Sequence, residues 1–131
     1  VDGRKPVLLV VEDEPDLLDL YTQGLTMAGA EILPAENGEE AWEIFNKDPK
    51  RVDLVLSDIF MPGMNGVQLM SKIKSHTETI PVILITGYAH LHTLIEESNY
   101  EPNAFLEKPF NLPNLFEEIK KLLPTDTKFM N

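Results

Sequence analysis

VLLVVEDEPDLLDLYTQGLTM, residues 7–27, runs from five aliphatic residues through three acids into a helical pattern. The aliphatic run Val7–Val11 is too short for a buried helix and rich in β-branched side chains, so it reads as a strand covered on both faces. Pro15 suits a helix first turn, where its missing N–H costs nothing, and the segment Pro15–Met27 reads as the helix that follows. The unit is therefore strand, acidic turn, helix.

The same unit recurs along the chain. Residues 54–56 and 82–85 (VILI) are further buried strands, and Glu31–Ala35 and Ala104–Glu107 are weaker ones. Helical patterns occupy residues 39–46, 67–75, 91–98 and 112–123. In the last of these Leu112, Leu115, Phe116, Ile119, Leu122 and Leu123 recur at helical spacing behind Asn111, a suitable cap. Pro49, Pro62, Pro81, Pro102 and Pro109 fall in connections, and Pro113 in a helix first turn. Pro34 lies in or just beyond the second strand, which suits a sheet edge, since a central strand would lose a ladder hydrogen bond there. Five βα units in succession imply a parallel sheet with helices on both faces, in an α/β fold of one domain. Such sheets bind ligands at the carboxyl ends of the strands, where strand order reverses.

Composition bounds the function. The chain has 131 residues, 43% hydrophobic and 25% charged, as an ordinary globular domain does. Eleven Lys and Arg against 22 Asp and Glu give a formal charge of −11, which repels phosphate backbones and argues against direct nucleic-acid binding. There are no cysteines, so disulfides and thiolate metal sites are excluded. No apolar run is long enough to span a bilayer and no signal peptide is evident, so a cytoplasmic setting is expected. With Val1 in place of Met, the chain is expected to be a piece of something longer. Residues 1–6 read as an N-terminal extension, 7–124 as the domain, and 125–131 as a tail or the start of a linker.

The strand ends supply the chemistry. Strand one ends in Glu12 and Asp13, strand three in Asp58, strand four in Thr86 and strand five in Lys108. Taken singly, each has an ordinary explanation: a helix-favouring acid, a strand end, a surface charge. Their joint placement on one rim does not. Crowded carboxylates repel one another unless a cation offsets them. Oxygen ligands without Cys or clustered His suit a hard cation such as Mg²⁺. His90 and His92, two apart, would not share a helix face and read as surface residues.

These residues also carry a resemblance. Glu12-Asp13, the run DIFMPGMNG at residues 58–66, Thr86-Gly87 and Lys108-Pro109-Phe110 resemble the receiver domain of two-component response regulators and hybrid histidine kinases, over nearly the whole chain. The resemblance implies a flavodoxin-like doubly wound sheet of order 2-1-3-4-5 with five helices. It implies that Asp58 takes a phosphoryl group from a phosphohistidine of a sensor histidine kinase or a histidine phosphotransfer protein. Asp13, Asp58 and the carbonyl of Phe60 would hold Mg²⁺, with Glu12 acting mainly through water. Lys108 would neutralise phosphoryl charge, Thr86 would then bond a phosphoryl oxygen, and Phe105 would turn inward as the switch aromatic. Lys108-Pro109 would be cis. The module would catalyse its own phosphorylation and dephosphorylation without being a turnover enzyme. An output domain or target protein and a phosphorylation-dependent dimer would follow, with no membrane contact.

Two departures are informative. Glu12 stands where Asp is commoner, and its extra methylene suits coordination through water. Phe60 and Tyr88, each two beyond a site residue, are bulky, which suggests that they shield the phosphoryl group from in-line water. Three other readings compete with phospho-acceptance. A haloacid-dehalogenase-like phosphatase usually needs a second Asp where Phe60 stands. A flavodoxin-like cofactor binder needs a phosphate loop where Glu12, Asp13 and Glu14 would repel phosphate. A scaffold that is never phosphorylated would not need every key position filled. The same sequence fits a stand-alone regulator, the receiver of a DNA-binding regulator, or that of a hybrid kinase.

Overall fold

The computed structural model describes residues 3–87, 95–96 and 98–130. Five parallel strands, β1 (Val7–Val11), β2 (Glu31–Ala35), β3 (Leu54–Asp58), β4 (Val82–Thr86) and β5 (Ala104–Glu107), form one sheet in the order β2-β1-β3-β4-β5. The described residues hold four α-helices: α1 (Pro15–Met27), α2 (Gly38–Lys47), α3 (Gly66–His76) and α4 (Leu112–Leu122). The helix expected at 91–98 falls mostly outside the described residues. β3 runs two residues beyond its expected end, and β4 one, because Ser57, Asp58 and Thr86 remain on the ladder although they are polar.

Alternation of side chains across the sheet explains the unbroken apolar runs. Leu9, Val11, Val55, Val82 and Leu84 face one side, under Ala41 and Phe45 of α2 and Leu69, Met70 and Ile73 of α3. Leu8, Val10, Leu54, Leu56, Ile83 and Ile85 face the other, under Leu18, Tyr21 and Leu25 of α1 and Leu115 and Ile119 of α4. Both faces of the three inner strands are thus removed from water, the main source of stability in such a fold.

Local chemistry fixes the helix starts. Asn37 and Asn111 accept from the amides of Glu40 and Asn114 at the heads of α2 and α4. Asn65 and Gln68 form a reciprocal capping box at the head of α3. Pro34 pairs with Val10 on β2, which is an edge strand, as its proline requires.

The stretch 125–131, expected as a tail, is packed where it is described. Phe129 is 3% exposed and meets the Phe116 ring edge to face at 6.0 Å. Arg4 pairs with Thr127 in a parallel bridge and places its guanidinium on both Asp53 and Asp126. Among the described residues, no helix is long and apolar enough to cross a membrane.

Candidate functional site

The sheet order reverses at β1, which has β2 on one side and β3 on the other, so the crevice between the ends of β1 and β3 is the topological switch point. Asp58 is the last residue of β3, and Glu12 and Asp13 follow β1 directly. The Glu12 amide donates to the carbonyl of Ala35, and the Ile59 amide to that of Ile85, so both acids leave the sheet from anchored backbone.

One carboxylate oxygen from each of Glu12, Asp13 and Asp58 lies within 4.8 Å of the others. Asp13 is exposed, whereas Glu12 and Asp58 are buried. Lys108 reaches in from the end of β5, its Nζ donating to Asp58 Oδ2 at 3.1 Å and, more weakly, to Glu12 Oε1 at 3.5 Å. The Lys108 amide donates to the Thr86 carbonyl at 2.7 Å, and the Lys108-Pro109 peptide is cis, as the resemblance implied. The other Asp58 oxygen, Oδ1, accepts from the Phe60 amide at 3.3 Å.

Electrostatics follow from this crowding. Burial, and then the charge of Asp58, push the Glu12 carboxyl up to about 7. Burial alone would lower the Lys108 ammonium, but its hydrogen bond to Asp58 and the charges of Asp58 and Glu12 outweigh that and raise it. Three carboxylates facing a single ammonium leave an acidic pocket. Its all-oxygen donor set, with one exposed acid giving access, fits a hard divalent cation.

The loop after Asp58 is tightly built. A Cβ at Gly66 would stand 2.3 Å from the Asp58 carbonyl oxygen, so only glycine allows α3 to begin this close to the end of β3. Gly63 has φ +75, and the neighbouring Met64 amide donates to the Glu39 carboxylate from the first turn of α2. Glu39 was not legible as a site neighbour, because an acid in a helix first turn already has an ordinary explanation.

The structure thus brings Glu12, Asp13, Asp58 and Lys108 into one cluster. Thr86, fully buried, closes β4 beside them, and Phe60, 57% exposed, flanks Asp58. Phe105 sits in β5 opposite Leu84, partly buried against the α2–α3 face. No described atom lies within 4 Å of a Cβ built on Gly87. Tyr88, His90 and His92 lie outside the described residues.

Comparison with known proteins agrees with this geometry. The family model described as the response regulator receiver domain matches residues 8–120. The chain is 34% identical over 122 residues to the transcriptional regulatory protein GlrR of Escherichia coli K12, which covers 92% of this chain but only 27% of that protein. It is 32% identical over 117 residues to sporulation initiation phosphotransferase F of Bacillus subtilis, covering 89% of this chain and 93% of the relative. The solved structure of response regulator protein TrrA from Thermotoga maritima, in complex with Mg²⁺-BeF, superposes with a TM-score of 0.81 at 37% identity, covering 90% of this chain and 99% of that one.

Proposed function

Since the chain belongs to the response regulator receiver domain family of two-component systems, we propose that Asp58 is its phospho-acceptor and that Lys108, Thr86 and the acidic pair serve that reaction. The observation that carries the reading is the placing of Asp58 Oδ2 3.1 Å from the Lys108 ammonium at the sheet's switch point.

In the reaction an oxygen of Asp58 forms a bond to phosphorus while the P–N bond of a donor phosphohistidine breaks, the electron pair leaving on the imidazole nitrogen. Asp58 is held for this by Phe60 N–H on one oxygen and Lys108 on the other. Lys108 meets the charge that gathers on the phosphoryl oxygens, so the protein contributes position and electrostatics. Asp13, Asp58 and the Phe60 carbonyl would hold Mg²⁺, with Glu12 acting through water. When bound, the ion supplies positive charge that offsets both the carboxylates and the phosphoryl oxygens. No described atom crowds Gly87, which favours the approach of a donor side chain. The Thr86 hydroxyl then bonds a phosphoryl oxygen and Phe105 turns toward the space it leaves, shifting an equilibrium between two forms of the domain.

The donor is a sensor histidine kinase or a histidine phosphotransfer protein in the cytoplasm, and the response passes to an output domain, a target protein or a phosphorylation-dependent dimer. Acetyl phosphate with Mg²⁺ tests the chemistry. Intact mass should rise by about 80 Da in the parent, the mass of one added phosphoryl group, and stay unchanged in Asp58→Asn or after chelation. An unmodified parent at saturating donor would sink the reading.

A further inference from the structure

Lysine has four rotatable side-chain bonds and loses about 2 kcal/mol of rotamer entropy when fixed, so a lysine that must point at one carboxylate needs walls. The backbone of Lys108 is fixed by its bond to Thr86, which leaves the side chain to be held by its surroundings. Beyond the carboxylates that its ammonium meets, part of those surroundings comes from α1. Leu17, Leu20 and Tyr21 of that helix, with Lys108, Phe110 and Leu112, line a cleft of about 290 Å³ beside the acidic cluster. Tyr21 is 4% exposed, and its ring stacks on that of Phe110 at 6.1 Å with planes 16° apart. Phe110 is two residues from Lys108, so the stack pins the loop that carries the ammonium to a helix that has no other part in the chemistry.

We propose that Tyr21 is a positioning residue for the Lys108 ammonium, acting through its ring stack on Phe110. The proposal rests on the role given to Lys108 above. The hydroxyl is not the working part: burial pushes it up to about 12, so it stays protonated at neutral pH and supplies no countercharge. The ring is the working part, and this distinguishes a phenylalanine from a leucine at the same position.

The test uses the whole chain with acetyl phosphate as donor and Mg²⁺ alone as the metal probe. Tyr21→Phe keeps the stack and should phosphorylate at the parent rate. Tyr21→Leu keeps an apolar side chain but loses the stack, and should slow the step at saturating donor and metal by roughly tenfold, the scale of a small misplacement, with Mg²⁺ affinity equal to or tighter than the parent's, because a loosened ammonium competes less for the carboxylates. In metal-free protein the ¹H–¹⁵N resonance of the Lys108 ammonium should be retained in Tyr21→Phe and lost to exchange in Tyr21→Leu. If Tyr21→Leu does not fold, Phe110→Leu makes the same test from the partly exposed side of the stack. A parent rate with a parent ammonium signal in the leucine variant overturns the proposal, as does a fall in rate matched by a fall in Mg²⁺ affinity. Failure of the parent to accept phosphate would overturn the proposed function instead, because the ammonium resonance reports on Tyr21 without any reaction.

Discussion

Lys108 Nζ stands 3.1 Å from Oδ2 of Asp58, and it is the single cation that the described residues bring to the acidic cluster. In the proposed reaction it would therefore have two opposed effects: it would favour attack on a phosphoryl group, and it would compete for the carboxylates that hold the metal. Lys108→Ala should accordingly phosphorylate from acetyl phosphate about 10²–10³-fold more slowly, as when one oxyanion donor is removed. It should bind Mg²⁺ more tightly than the parent. Calorimetric titration beside the phosphorylation rate separates the two, and weaker Mg²⁺ binding in the variant would contradict the arrangement.

Glu12 gives a pH dependence whose sign can be worked out. In metal-free protein its carboxyl titrates near 7 when folded, against the ordinary 4.5 when unfolded. Below the lower value both states hold the proton. Between the two, the unfolded chain releases it first, so this group's favourable contribution is lost as pH rises through the window and levels off above about 7. The loss is on the order of 3 kcal/mol at most. Urea denaturation of the parent and Glu12→Gln in chelator, at pH 4.5 and pH 8, should show the parent-minus-variant difference falling with pH; a flat difference would refute it.

Phe60 stands 57% exposed two residues beyond Asp58, an apolar ring where a polar side chain would help water reach phosphorus. Replacing it together with its sequence counterpart, as Phe60→Asn, Tyr88→Glu, should hasten loss of phosphate from the modified protein. Equal decay of the phosphorylated mass in parent and double variant would count against shielding.

Phe129 should matter to stability although it lies beyond the last helix. It is 3% exposed and packed edge-on to Phe116, so Phe129→Ala should cost about 3 kcal/mol in urea denaturation, near the lower end for a buried phenylalanine. A change within measurement error would mean that this segment does not stay docked in solution.

Much of this was legible because the site lies next to the strongest signals. Val7–Val11 and Val82–Thr86 announce themselves by unbroken aliphatic runs, and in a parallel sheet the residues just after such runs must share one rim. Asp13, Asp58 and Lys108 were placed on that rim as strand-end residues, the last two beyond shorter or weaker runs, and the family resemblance implied their roles. What sequence did not reveal depends on contacts without period. Phe129 is a lone aromatic past the end of a helical pattern. Arg4 meets Asp53 and Asp126 across 49 and 122 residues. Tyr21 falls inside the helical pattern of residues 15–27, but nothing in the string says that its ring faces Phe110.

Pro34 has a consequence outside the chemistry. On β2 the amide of Glu31 and the carbonyl of Ala35 point inward to neighbouring backbone, so position 34 points outward, and there proline offers no N–H. A foreign strand approaching that flank finds a gap in the row of donors it would need. The acidic domain thus carries one built-in obstacle to growing by a strand into a neighbour, because a chain docking on that side would leave a carbonyl without a donor at position 34.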